Sequence, residues 1–304
     1  MSPADPPVTG RHAATAYVLL TLTTLFWGGN AVVGRALHTM IPPVTFAFWR
    51  WALAVLILLP FTWRHVRRDW PLIVASWRIL LALSVLGISC FNTMLYHAAH
   101  TATATNIALI QTAMPAVIVL LSLLLLGERV TPRAALGVML GIGGAIYVVV
   151  HGDFAALAHM QVVPGDLWML AAVVLYALYS VLLRWRPPIH PLSLVTVTFV
   201  AGDLLLLPLY VWEWSVRGAP QLNADVLFGA LYVAVFPSIL SYLFWNRGVH
   251  VIGPNRAGLF ICLVPVFASG LAVTFLGETL RAYHVIGLAL ILAGFLLVNQ
   301  GRRA

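Results

Sequence analysis

The sequence predicts an all-α polytopic membrane protein whose ten transmembrane helices form two inverted five-helix repeats. Three observations carry this expectation: an apolar excess beyond that of soluble domains, ten apolar runs able to cross hydrocarbon, and a match of the chain with itself at an offset of 150. The 304 residues are 62% hydrophobic and 9% charged, with a mean hydropathy of +0.96, whereas soluble domains carry roughly 25% charged residues. No stretch is polar enough to make a solvated domain beside the membrane part.

A helix needs about 20 apolar residues to cross a hydrocarbon core of roughly 30 Å. Interruptions by charge, proline or glycine divide the chain into runs at 14–36, 44–63, 78–100, 104–126, 134–150, 166–184, 191–213, 225–246, 257–276 and 284–300. The first run is too long for a secretory signal, contains Trp27 and Asn30, and lacks a small-residue cleavage site, so it reads as a mature span. All 17 basic residues are arginine. They occur singly or in short groups, not in a tract able to follow a phosphate backbone, which argues against nucleic-acid binding. The net charge of +8 reads instead as topology: with the N-terminus inside, 13 of the 17 arginines fall on the cytoplasmic side. An even number of spans returns the C-terminus, with Arg302 and Arg303, to the same side. Cys90 and Cys262 lie inside apolar runs without metal-ligand spacing or a loop partner, which supports neither a disulfide framework nor a zinc site.

The internal match pairs Pro115 with Pro265, Leu126-Gly127-Glu128 with Leu276-Gly277-Glu278, Gly137 with Gly287, Leu140 with Leu290, and Gly144 with Gly294. Leucine coincidences are cheap in apolar sequence; three glycines, a proline and a glutamate in register are not. The first repeat is expected over 14–150 and the second over 165–300. Five spans per copy is an odd number, so the second copy enters the membrane from the opposite side. Such inversion is a recurring transporter architecture with substrate bound near the midplane between copies; simple structural duplication is the alternative.

These residues resemble the drug/metabolite transporter superfamily, specifically its EamA family, and within it the YddG-type amino-acid exporters. The resemblance rests on Trp27-Gly28-Gly29-Asn30, on Phe48-Trp49-Arg50, and on Pro115 with Leu126-Gly127-Glu128, recurring as Pro265 with Leu276-Gly277-Glu278. It implies a secondary transporter that exports amino acids by alternating access. It also implies a ten-helix basket, with spans three, four, eight and nine around a central cavity and spans five and ten peripheral. Export of drugs or other small metabolites is the alternative within the family, and an intramembrane enzyme or a non-transporting adaptor is the alternative outside it. The arginine-only basic set fits a bacterial chain, hence multi-pass residence in the inner membrane with lipid and small-molecule substrate as partners. Oligomeric state stays open, a monomer included.

Polar groups within apolar runs are costly and face a cavity or one another, which supplies the candidate residues. Arg50 and Asp203 lie about 9 and 15 Å deep, at 1.5 Å per residue, and equivalently in the repeat. They are expected either to form a charge pair across the repeats or to be satisfied separately, and Asp203 is the candidate carrier of a coupling proton. Asn92, Tyr96 and His100 form one helical stripe expected to face a wet cavity with Gln111. His97 and His100 lack a third ligand, so polar glue between helices is favoured over a metal. Tyr176, Tyr179, Ser238, Tyr242, Trp245 and Asn246, with Trp27 and Asn30, could line the same cavity, although aromatics at helical spacing also serve packing. Pro115 and Pro265 fall mid-span, where a kink suits gating or simple packing. The Gly137–Gly141 pair of the fifth run suits close helix contact with a partner inside or outside the chain. Glu128 and Glu278 read as helix-end groups. No nucleophile–base pattern, metal cluster or phosphate loop occurs, so no enzyme activity, cofactor or ATP-driven pumping is expected.

Overall fold

A computed structural model describes residues 10–126, 132–149, 151–153, 163–218, 223–252, 260–261 and 263–300. The described residues contain helices and no strands. The corner residues Gly127 and Glu128, and both chain termini, lie outside them.

The first half comprises α1 (Gly10–Ala36), α2 (Pro43–Ala75), α3 (Trp77–Leu83), α4 (Phe91–Ala99), α5 (Ala104–Gln111), α6 (Met114–Leu126) and α7 (Pro132–Val149). The second comprises α8 (Pro164–Leu182), α9 (Pro191–Arg217), α10 (Ala224–Ala234), α11 (Ser241–Ile252), α12 (Val264–Leu276) and α13 (Ala282–Gln300). Proline opens α2, α8 and α9, where its missing N–H is no loss. Thr103 and Asn223 cap α5 and α10 by accepting backbone N–H bonds. Gly277, at φ 66°, ends α12 in the left-handed conformation that suits glycine.

Among the described residues, seven helical stretches are long and apolar enough to cross a membrane: 14–36, 43–75, 77–99, 104–125, 164–185, 191–217 and 224–248. Shorter apolar helices occupy Ala135–Val148, Val264–Leu276 and Ala282–Gly294. The second stretch runs 12 residues beyond the expected boundary at 63, through Arg64, Arg67 and Arg68. Charge ends an apolar run, but it does not end a helix whose backbone bonds continue to Ser76.

Two departures from plain α-helix recur symmetrically. Residues Ser84–Cys90, between α3 and α4, and Val235–Leu240, between α10 and α11, are π-helical; at offset 150 they cover the same stretch of the repeat. Pro115 and Pro265 do not kink a continuous helix. Each is the second residue of a new one, α6 and α12. The ring at Pro115 cannot donate to the preceding turn, and the chain tightens through Thr112 and Ala113, whose N–H groups bond Leu109 and Ile110.

Packing follows a pseudo-twofold pattern: α1 lies on α11 and α12, as α8 lies on α4 and α6, and the equivalent helices α2 and α9 meet, as do α7 and α13. The α7–α13 pair is antiparallel. A methyl on Gly144 would stand 2.9 Å from the Gly287 carbonyl, and one on Gly294 would stand 2.6 Å from the Gly141 nitrogen. Equivalent helices running in opposite directions are what an inverted repeat requires, and the glycine face finds its partner within the chain.

Candidate functional site

Between the two halves lies a buried cavity lined by Trp27 and Asn30 of α1, Arg50 of α2, Phe91, Asn92 and Leu95 of α4, Gln111 of α5, Tyr176 of α8 and Tyr242 of α11. It is nearly closed: the space open to the centre of a water is about 10 Å³, room for about one water. Spans one, two and six thus contribute beside spans three, four and eight. Gln111 sits at the break between α5 and α6, where backbone irregularity in a membrane is tolerated because it borders a cavity.

Arg50 is the organising group. It is 2% exposed. Its Nε donates to Ser238 Oγ at 2.7 Å, Nη1 to Asn30 Oδ1 at 3.0 Å and Tyr96 Oη at 2.9 Å, and Nη2 to the Pro237 carbonyl at 3.2 Å. Tyr96 Oη in turn donates to Asn30 Oδ1 at 3.0 Å. Ser238 donates to the Val233 carbonyl, five residues back, as the wider π turn permits. One cation therefore ties α1, α2 and α4 to the π turn of the second half.

Arg50 and Asp203 do not pair; no ion pair joins them among the described residues. Arg50 reaches the second π turn, while Gly202, beside Asp203, packs on the first, where its carbonyl accepts Ser89 Oγ at 2.8 Å. Asp203 keeps one buried oxygen, Oδ1, without a hydrogen-bond partner.

Asn92 is 1% exposed. Its Nδ2 reaches the Ile88 carbonyl at 3.4 Å, and its Oδ1 has no partner. Aromatic faces surround this pole: Trp27 meets Tyr176 edge-on at 6.5 Å and Phe91 tilts against Tyr176 at 4.6 Å. Tyr242 donates to the Gly87 carbonyl at 3.1 Å.

Other candidates fall outside the lining. Tyr179 packs 5.0 Å from Tyr176 and over Gly87. Trp245 backs Trp27 at 5.2 Å, and Asn246 is half-buried and does not line the cavity. His97 bonds its own helix at the Thr93 carbonyl and packs on Trp168. His100 ends its helix beside His38 and does not continue the wet stripe begun by Asn92 and Tyr96. No group of three metal-ligating side chains occurs among the described residues. Phe91 and Leu95 carried no signal, because an apolar lining residue is indistinguishable in sequence from a packing residue.

A second, larger pocket of about 480 Å³ opens at one end of the molecule, lined by Thr103, Asn106, His151, Glu278, Arg281 and His284 among others. Asn106 Nδ2 donates to Asp166 at 3.2 Å and to His151 Nε2 at 3.1 Å, and its Oδ1 accepts from His284 Nε2 at 3.0 Å. Glu278 accepts the Ala104 and Thr105 N–H groups at 2.8 and 3.2 Å and the Thr105 hydroxyl at 2.7 Å, capping α5 across the repeats.

Two equivalent helical units around a closed polar cavity, with many apolar helices, define a multi-pass membrane protein of transporter type. The chain belongs to the EamA-like transporter family, whose pattern matches residues 14–150 and 163–300. It is 27% identical over 287 residues, 93% of each chain, to the protein named uncharacterized transporter YyaM of Bacillus subtilis. It is 26% identical over 286 residues to an uncharacterized transporter of Archaeoglobus fulgidus, covering 93% of this chain and 96% of the other. A protein crystal structure at 18% identity shares the fold, with a TM-score of 0.66 over 95% of this chain and 98% of that one. The chain is a membrane transporter of small metabolites.

Proposed function

We propose that this transporter exports amino acids, apolar and aromatic ones included, from the bacterial cytoplasm across the inner membrane. In this reading ten spans cross the bilayer, both termini are cytoplasmic, and the two inverted copies rock about the cavity to expose it alternately. The supporting observation is the cavity itself, buried among the apolar helices and lined from both copies by a cation, three amide side chains and aromatic rings. That combination suits a small molecule with polar ends and an apolar body. With space for about one water, the closed form must expand to take a substrate.

The test is flux from sealed proteoliposomes loaded with a labelled amino acid, with all common amino acids as competitors. Efflux that depends on the protein and is competed by apolar and aromatic amino acids supports the reading. Passage of dyes without amino acids identifies a drug exporter, and no passage of either identifies an adaptor or enzyme. Labelling of both termini from the cytoplasmic face checks the topology.

A further inference from the structure

We propose that Arg50 anchors a carboxylate of the transported molecule and that Asn92 receives its ammonium, so that the cavity recognises α-amino acids as zwitterions. This rests on the transport reading above and deepens it by giving each end of the substrate a partner.

The first observation is a charge without a counter-charge. Every acceptor around Arg50 is neutral: an amide oxygen, two hydroxyls and a peptide carbonyl. No carboxylate lies within ion-pair reach of it among the described residues. Neutral partners satisfy the direction of each N–H but leave the positive charge in a low-dielectric interior, which is costly unless an anion joins it. Four of the five guanidinium N–H groups are engaged by these bonds, leaving one on Nη2 for an incoming oxygen. Asp203, the acid at the equivalent position, does not fill the gap.

The second observation is independent. Asn92 Oδ1 is a buried acceptor without a donor in the wall of the same cavity. Buried acceptors are rarely left open, and this one belongs to a residue that lines the cavity. A water could satisfy Asn92, but it would leave Arg50 unneutralised. A zwitterion with a single carbon between its charges answers both. Trp27, Phe91 and Tyr176 then offer faces to the ammonium and to the side chain.

The experiment uses the full-length protein in proteoliposomes carrying labelled L-phenylalanine, or whichever amino acid the flux panel shows is carried best. Three competitors are compared: the unlabelled amino acid, its carboxamide, and the analogue lacking the amino group (L-phenylalaninamide and phenylpropionate for phenylalanine). We expect the last two to compete at least about tenfold more weakly, as loss of one charge-assisted contact implies. Arg50→Gln should erase the preference for acid over amide, and Asn92→Leu the preference for amine over deamino analogue. Because Arg50 also holds helices together, the unmodified protein is followed separately by its unfolding temperature, which the amino acid should raise and the two analogues should not. An amide that competes and stabilises as well as the acid overturns the role of Arg50; a deamino analogue that does so overturns that of Asn92. If no amino acid moves at all, the transport reading itself has failed.

Discussion

The carbonyls of Gly87 and Pro237 occupy equivalent places in the two π turns, and each accepts a donor from the other repeat. Gly87 receives Tyr242 Oη at 3.1 Å, and Pro237 receives Arg50 Nη2 at 3.2 Å. A π turn loosens the regular backbone ladder, so its carbonyls can serve partners outside the helix. The two copies are therefore joined at the cavity through backbone positions that no side-chain pattern marks.

One consequence concerns the relative weight of these cross-links. Ser238→Ala removes the Nε partner of a buried cation and should cost about 1.5–3 kcal/mol, whereas Tyr242→Phe removes a neutral bond worth about 1 kcal/mol. Thermal unfolding in detergent checks the order. Equal losses would mean that Arg50 finds a replacement acceptor.

Two buried or half-buried glutamates of the second copy cap helices of the first. Glu213, 3% exposed, accepts the Thr45 N–H at 2.7 Å and its hydroxyl at 2.8 Å at the start of α2, as Glu278 does for α5. An anion at a helix N-terminus meets both the open N–H groups and the positive end of the helix dipole. Glu213→Ala should cost about 2 kcal/mol, with Glu213→Gln milder because it keeps an acceptor. Glu278→Ala should speed amide hydrogen exchange at Ala104 and Thr105, and unchanged exchange there would refute the capping role.

Adjacent glycines on α7 give a sharper contrast. A Cβ on Gly143 meets nothing within 4 Å, while one on Gly144 collides with the backbone and side chains of α13. Gly144→Ala should destabilise by about 1–3 kcal/mol through overpacking. Gly143→Ala should stabilise by up to about 1 kcal/mol through helix propensity. Unfolding midpoints of the two variants moving in the same direction would contradict the packing.

How much was legible in the sequence follows from what each signal measures. Apolar run length found the helices but not the continuation of α2 past Arg64, since hydropathy does not register where backbone bonding stops. The glycine register found the α7–α13 contact because close approach tolerates no side chain. Arg50, Asn30, Tyr96 and Ser238 are each visible as polar atoms in apolar runs, yet their convergence is not, and depth with repeat register leaves open both a charge pair of Arg50 with Asp203 and the separate satisfaction that Arg50 shows. Two residues equivalent under a twofold meet only on the axis. The network of Asn106, Asp166, His151 and His284 was missed because its members fall at run ends, where polar residues are ordinary.

Asp203 offers a test of coupling. Its buried Oδ1 lacks a partner, which leaves that oxygen free for a proton. If efflux is driven by proton exchange through Asp203, Asp203→Asn should remove the dependence of flux on the pH gradient while efflux down a substrate gradient persists. Gradient dependence equal to that of the parent would eliminate Asp203 from this role.

The pocket at the end of the molecule should respond to pH through His151. Asn106 Nδ2 can only donate, so His151 Nε2 accepts and the ring is neutral. Burial, and then Arg281, hold its pKa below the ordinary 6.5. Asp166 stands 3.5 Å from the same nitrogen, at the limit of a weak contact. A lowered histidine pKa contributes stability that is present above 6.5 and lost as pH falls through the lower folded value. A proton on Nε2 would also oppose the Asn106 N–H, and Asn106 cannot turn over without setting its Nδ2 against the His284 N–H. Contacts joining α5 and α8 to the start of α13 should therefore loosen on acidification. Exchange of the Asn106 and Asp166 amides, corrected for the intrinsic pH dependence, should rise as pH is lowered from 8 toward 5 in the parent and stay level in His151→Gln. A parent and variant with superimposable profiles would show that His151 does not govern this closure.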